Sequence, residues 1–279
     1  MTPSRHFRVA RAVVAVILLA SAHWAGAAPA VSGAAYIVIH AESGKVLSEK
    51  NSRERRAVAS TQKLLTALIA AESGDLWKPV RILPEAAAAA PTKLYLKSGE
   101  VYSRYSLLKS LLVRSPNDAA AALAHSISGD EESFGRLMTR MARALGAGDS
   151  TFRNASGLPA EGQYSTARDM AIIARAAYLN PTVRKIVGMR RTTFRKNDGG
   201  VVELTNTNRV LQTYTKCTGM KTGYTKAAGN CLVASAEGDS GTTIAVILGS
   251  SRGRISSDMV KLLSWGEEEA ARLGLAGEI

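Results

Sequence analysis

The strongest constraint on this chain is a run of apolar residues that begins just after Ser60. Leu64, Leu65, Leu68 and Ile69, with Ala67, Ala70 and Ala71 among them, make a helix apolar nearly all the way round. Such a helix has no face for solvent, so it belongs inside a larger core. Its first turn carries Ser60-Thr61-Gln62-Lys63. A serine and a lysine at i and i+3 share one helix face, which brings hydroxyl and amine within hydrogen-bond reach. Serine is a weak nucleophile until a base takes its proton, and a desolvated lysine near other cations is neutral enough to serve. The helix N-terminus offers backbone N–H groups to a developing oxyanion. Taken alone, S-x-x-K is better explained by a serine cap followed by a solvated lysine.

The rest of the chain decides what surrounds that helix. Residues 1–27 read as a signal peptide: Arg5, Arg8 and Arg11 precede the apolar stretch AVVAVILLASA, and small residues follow, extending the cleavage window to residue 30. The apolar stretch is shorter than the roughly 20 residues that span a bilayer, so cleavage is expected over a retained anchor. Losing three arginines takes the net charge from +13 to +10 and leaves His40 and His125 as the remaining histidines. With two cysteines besides, a cysteine-rich scaffold, an all-cysteine zinc site and an iron–sulfur cluster are excluded; with two histidines 85 residues apart, a multi-histidine metal site is not expected, nor is any other metal or cofactor.

Residues 31–279 read as one two-lobed domain of α/β (α+β) class. Ala34 to His40, the Ser43-Gly44 turn and Lys45 to Leu47 predict a hairpin. Ala86–Ala90, Leu107–Val113, Ala119–Ala124 and Met138–Leu145 predict a helical middle, followed by a helix over Thr166–Tyr178. Strand character returns at Val201–Leu204, Thr218–Tyr224, Cys231–Ala236 and Thr242–Leu248, before a last helix over Ser256–Arg272. The late strands are expected to form one antiparallel sheet that the first hairpin joins, flanked by helices, with a mostly helical subdomain inserted.

Two further motifs accompany the first. Ser115-Pro116-Asn117 lies at the edge of the helical insert, and Lys221-Thr222-Gly223 lies on a late strand. Helix, loop and strand motifs in this order resemble the set shared by serine penicillin-binding proteins and class A β-lactamases. The resemblance is closest to the D-alanyl-D-alanine carboxypeptidases of peptidase family S11. It runs from about residue 33 to 267, through AVASTQKLLTALIA, KSGEVYSRYSLLKSLLVRSPNDAA, the turn Asn154 to Leu158, Ser165 to Met170, GMKTGYTKAAGNCLVASA and Lys261 to Gly266. It implies the DD-peptidase/β-lactamase-like fold.

By that resemblance Ser60 is the acyl-ester nucleophile and Lys63 its proton acceptor. Ser115 and Asn117 bridge lysine and substrate, and Ser115 passes a proton to the leaving D-alanine. Lys221 and Thr222 hold the terminal carboxylate, and Gly223 lets the substrate lie along the strand. The backbone N–H groups of Ser60 and Tyr224 form the oxyanion hole. The implied partners are peptidoglycan stem peptides ending in D-Ala-D-Ala, with β-lactam antibiotics as covalent inhibitors, in the periplasm or cell wall. The chain departs from the pattern at Pro116, at Tyr224, and around Arg252-Gly253-Arg254, where no auxiliary carboxylate-binding arginine is assigned. A second β-rich domain and a C-terminal amphipathic anchor do not follow Gly266 in this sequence, so no stable membrane anchor is expected after signal cleavage.

Three other activities compete. A DD-endopeptidase cutting cross-links uses the same machinery. A class A β-lactamase adds a Glu-x-x-Leu-Asn segment that is missing between Asn117 and Lys221. A non-catalytic binder of anionic wall polymer would use the basic charge alone. Nucleic acid is not an expected partner, because aromatics are 5% of the chain and no binding motif is present. Cys217 and Cys231 flank the third motif across an apparent hairpin, and a disulfide and two reduced core thiols both remain open.

Overall fold

The computed structural model describes residues 27–275; the expected signal peptide lies outside them except for its last residue. The chain opens with strands β1 (Ala35–His40) and β2 (Val46–Lys50), and a 3₁₀ turn, Ala59–Gln62, leads into α1 (Lys63–Glu72). The helical region follows, as β3 (Pro79–Arg81), α2 (Pro84–Ala87), β4 (Val101–Ser103), α3 (Arg104–Arg114), α4 (Asn117–Ser128), α5 (Glu131–Ala144), α6 (Ala167–Leu179) and α7 (Pro181–Val187). The chain ends with β5 (Arg191–Arg195), β6 (Val201–Thr205), α8 (Val210–Thr213), β7 (Cys217–Thr225), β8 (Gly229–Gly238), β9 (Gly241–Ser250) and α9 (Ile255–Arg272).

A five-stranded sheet in the order β2-β1-β9-β8-β7 divides the molecule, and its pairings are all antiparallel. Every residue of β1 is buried, because successive side chains enter different cores. Ile37, Ile39, Val233, Val246 and Leu248 join the larger core with α1 and α3–α6. Tyr36, Val38, Leu232, Ala234 and Ile247 meet Met259, Leu262 and Leu263 of α9 on the opposite face. This is the expected mixed fold, an antiparallel sheet flanked by helices, with the first hairpin joined to the late strands.

Two expectations differ from the structure. Val201–Leu204 does form a strand, but β6 pairs with β5 in a separate two-stranded ribbon. In this ribbon Phe194 and Leu204 are buried while alternate positions face water, so the ribbon needs cover on one side only. Phe194 finds it against Tyr102, with ring centroids 4.9 Å apart. Strands β1, β8 and β9 of the sheet, by contrast, are buried on both faces. The run Ala86–Ala90 is helical only as far as Ala87, and the backbone beyond it is drawn out to serve Asn117, whose Nδ2 donates to Ala90 O at 3.0 Å and Pro91 O at 3.1 Å.

The cysteines are both free and buried. Cys217 pairs across the sheet with Ala236, and Cys231 with Gly223. Positions 217 and 223 are roughly 20 Å apart along β7 at about 3.3 Å per residue, far beyond the ~7 Å Cα limit for a bridge. The two thiols also belong to different cores. Burial pushes each thiol pKa up to about 11. Native protein treated with iodoacetamide at pH 8 is therefore expected to keep its mass and to gain two adducts only when unfolded. Reductant is expected to change neither result, and a mass shift on reduction would contradict the register.

Candidate active site

Four segments converge on the start of α1. Ser60 lies in the 3₁₀ turn and Lys63 is the first residue of the α-helix. Ala59, just before the nucleophile position, has a left-handed backbone, φ +48°. Its carbonyl oxygen is approached so closely by Gly157 that a Cβ there would lie 2.1 Å away. Only glycine fits this contact, and its own φ of +83° favours the same residue.

Polar side chains of the turn and α1 then capture successive carbonyls of the Asn154–Ser156 turn. Gln62 Nε2 donates to Asn154 O at 2.6 Å, Thr66 Oγ1 to Ala155 O at 2.8 Å, and Lys63 Nζ to Ser156 O at 2.6 Å. Asn154 closes the turn from within, its Oδ1 accepting from Gly157 N at 2.8 Å. The turn is thereby anchored to the helix that carries Ser60.

Lys63 is the centre of the arrangement. Its side chain is fully buried, and Nζ lies 2.8 Å from Ser60 Oγ and 2.8 Å from Asn117 Oδ1. The orientation of the Asn117 amide follows from its other end, where Nδ2 faces the carbonyls of Ala90 and Pro91. Two of the three Lys63 partners are therefore carbonyl oxygens, which only accept. A neutral amine has two N–H donors and one lone pair, so donation to Ser156 O and Asn117 Oδ1 leaves the lone pair for the Ser60 hydroxyl proton. Burial, and then the positive charge of Lys221, holds the Lys63 pKa well below the ordinary lysine value; the more distant Glu131 and Asp118 oppose this.

Ser115 caps α3 with a left-handed backbone, φ +69°, and Pro116 turns the chain into α4. Ser115 lines the cleft, and its hydroxyl has no hydrogen-bond partner among the described residues. Of the two residues expected to bridge to the lysine, the structure brings Asn117 into contact with it and leaves Ser115 on the cleft wall. The following residue, Asp118, is buried, and its carboxylate accepts from Leu94 N at 2.9 Å and Leu96 N at 3.1 Å.

The opposite wall is β7, the edge strand. Thr222, Gly223 and Tyr224 line a cleft of about 430 Å³ together with Ser60 and Ser115. A Cβ at position 223 would lie 2.8 Å from Ser60 N and 3.0 Å from Thr61 N. Gly223 thus lets β7 pass against the start of the helix, a closer reason than the open strand edge expected from sequence. Thr222 Oγ1 donates to Thr207 Oγ1 at 2.7 Å, and Tyr224 is 65% exposed at the rim. Lys221 is fully buried behind the wall, where Nζ donates to Thr222 O at 2.9 Å; burial brings its pKa down to about 7. The residues singled out from the sequence therefore gather at one place. Sequence reasoning gave no role to Ser156 or Thr207, although the Asn154-Ala155-Ser156-Gly157 turn signal marked the first of them.

This site sits between a helical lobe and an antiparallel edge strand, the arrangement of active-site serine DD-peptidases. Residues 22–252 match the model of the family described as D-alanyl-D-alanine carboxypeptidase, peptidase S11. The chain belongs to that family. It is 39% identical over 220 residues to D-alanyl-D-alanine carboxypeptidase DacF of Bacillus subtilis, covering 77% of this chain and 57% of that protein. It is 36% identical over 253 residues to DacC of Escherichia coli, covering 86% and 62%. The crystal structure of D-alanyl-D-alanine carboxypeptidase DacD from Francisella tularensis superposes with a TM-score of 0.81 at 30% identity, over 86% of this chain and 71% of that one. The chain thus spans 57–62% of the length of these two curated relatives.

Two outcomes follow from the buried lysines. Asn117→Asp places a carboxylate against Lys63 and favours its charged form, so Ser60 acylation at pH 7 is expected to fall by about 10²-fold and to recover in part as pH rises; a rate that keeps wild-type pH dependence would sink the assignment. Both lysine pKa values are depressed in the fold, so above about pH 7 the unfolded chain binds more protons and stability rises with pH. Each such proton contributes about 1.4 kcal/mol per pH unit. Thermal melts are expected to show a higher Tm at pH 9 than at pH 7, with a smaller increment in Lys221→Met. An equal increment in both proteins would count against this account.

Proposed function

We propose that the chain is a serine-type D-alanyl-D-alanine carboxypeptidase that trims peptidoglycan stem peptides through an acyl-enzyme on Ser60. The observation that carries this reading is the buried, depressed Lys63 amine, 2.8 Å from Ser60 Oγ and committed through its N–H groups to two carbonyls. Ser60 Oγ attacks the carbonyl of the penultimate D-alanine as its proton passes to the Lys63 lone pair. The backbone N–H groups of Ser60 and Tyr224 receive the developing oxyanion. The amide C–N bond breaks, and the departing D-alanine amine takes a proton through Ser115. Water then hydrolyses the ester and restores Ser60.

Lys221 and Thr222 hold the terminal carboxylate in this scheme. A bond next to a free carboxylate needs a cation and a hydroxyl one residue beyond the nucleophile; Lys221 Nζ and Thr222 Oγ1 are engaged by Thr222 O and Thr207 Oγ1, and in this scheme they exchange those partners for the carboxylate. A β-lactam presents its carboxylate and strained amide in the same relation, which makes it a covalent inhibitor. No carboxylate lines the cleft among the described residues, so a penicilloyl ester lacks the glutamate that activates the deacylating water in class A β-lactamases. Slow deacylation follows.

The basic N-terminal segment and the wall substrate support export to the periplasm or cell wall. Among the described residues, no helix is long and apolar enough to cross a membrane. Incubation with a fluorescent penicillin is expected to label the protein, with mass spectrometry placing the adduct on Ser60 and Ser60→Ala abolishing it. A pentapeptide ending in D-Ala-D-Ala is expected to release one D-alanine. Absence of both label and release would overturn the reading, and rapid nitrocefin turnover would replace it with a β-lactamase.

A further inference from the structure

The cleft wall that carries Thr222 holds a second hydroxyl. Thr207 lines the cleft with Thr222 and is half-buried. Its Oγ1 accepts the Thr222 hydroxyl hydrogen bond at 2.7 Å, and its own hydroxyl hydrogen meets no acceptor among the described residues. The Thr207 backbone N–H donates to Val113 O at 3.1 Å, two residues before Ser115. Thr207 therefore ties the arm that carries Ser115 to the strand that carries Thr222.

The position of Thr207 is fixed from both sides. Asn206 is buried, and its Nδ2 donates to Val187 O at 3.2 Å and Met189 O at 2.9 Å. Its Oδ1 accepts from Asn208 N at 2.9 Å. Asn208 is buried as well, and its Oδ1 accepts from Val210 N at 3.0 Å. An asparagine that bonds the backbone two residues further on makes a tight, defined turn, and here two such turns follow one another with Thr207 inside the first. A hydroxyl presented on a backbone held in this way binds an anion without the cost of ordering a mobile segment.

In the proposed scheme the terminal carboxylate takes the Thr222 hydroxyl hydrogen away from Thr207 Oγ1. Thr207 then loses the bond it accepted but keeps a hydrogen of its own. An ionised carboxylate has two oxygens with about four acceptor sites between them, which a single hydroxyl does not fill. The two threonine oxygens are 2.7 Å apart, so one hydroxyl can face each carboxylate oxygen. We propose that the Thr207 hydroxyl is a second donor to the terminal carboxylate and a determinant of selectivity for substrates with a free C-terminal carboxylate. The exchange leaves no hydroxyl without a partner: Thr222 trades a neutral acceptor for a charged one, and Thr207 gains an acceptor for its hydrogen, both bonds being charge-assisted. This inference rests on the acyl-enzyme reading above.

The test compares the full chain with Thr207→Val, which keeps the side-chain shape and removes the hydroxyl, and with Thr207→Ser, which keeps the hydroxyl. Ser60 acylation by a fluorescent penicillin, which carries a carboxylate, is timed beside Ser60 labelling by a fluorescent alkyl fluorophosphonate, which carries none. Thr207→Val is expected to slow penicillin labelling about tenfold more than fluorophosphonate labelling, the scale of one hydrogen bond to a charged group. For D-alanine release from the pentapeptide, kcat/KM is expected to fall alongside, mainly through KM. Thr207→Ser is expected to recover most of both losses, and Thr207→Ala to repeat the valine result. Equal slowing with the two probes, as a purely structural role would give, or no slowing with either, would overturn the role of Thr207 and leave the proposed function standing. Absence of penicillin labelling and of D-alanine release in the wild-type protein would overturn both.

Discussion

An ammonium group without a counterion at its side is costly to bury, and this chain buries two. Neither Lys63 nor Lys221 lies within ion-pair distance of a carboxylate among the described residues, and each is fully enclosed. The surrounding structure meets the constraint with neutral acceptors: the carbonyls of Ser156 and Thr222 and the side-chain oxygen of Asn117. Acceptors of this kind tolerate an uncharged amine, whereas a carboxylate would lock it in the charged form. The core around α1 therefore holds the Lys63 amine without a counterion, and the same choice sacrifices stability that an apolar side chain would give.

Holding those acceptors in place depends on the whole fold. The 154–157 turn is tied to the start of α1 by Gln62, Lys63 and Thr66. Asn117 is held at the α3–α4 junction, and β7 is positioned by its pairing with β8. The sheet itself is clamped between two separate cores. Gly223 then lets the strand touch the backbone of Ser60, so the relation between Ser60 and the strand is set by packing.

Much of this was legible in the sequence because it was written in periodicity and residue type. The all-round apolar pattern after Ser60 can be satisfied only by burial, and burial is what makes the Lys63 amine unusual. The continuous apolar runs of β1, β8 and β9 likewise required cover on both faces. The misreadings have physical causes. The strand at Val201–Leu204 has the same local propensity in a ribbon as in a sheet, and propensity does not name a partner strand. The Ala86–Ala90 run favours helix, but Pro91 disfavours helical geometry at the residue before it, and Asn117 takes the carbonyls of Ala90 and Pro91. The Ser156 carbonyl left no trace in side-chain chemistry, since every residue carries a carbonyl; only its glycine-containing turn was visible. The two cysteines were undecidable until the strand register separated them.

Asn117 and Asp118 are neighbours with divided duties. One side chain grips the amine of Lys63 and the carbonyls of Ala90 and Pro91, while the next holds the backbone N–H groups of Leu94 and Leu96. The segment between Ala90 and Leu96 is thus suspended from two adjacent residues, the first of which also contacts Lys63, and Pro91 and Thr92 within it form part of the cleft wall. The rim of the cleft and the Lys63 amine share a fulcrum. One amide thereby joins the lysine to the wall of the cleft.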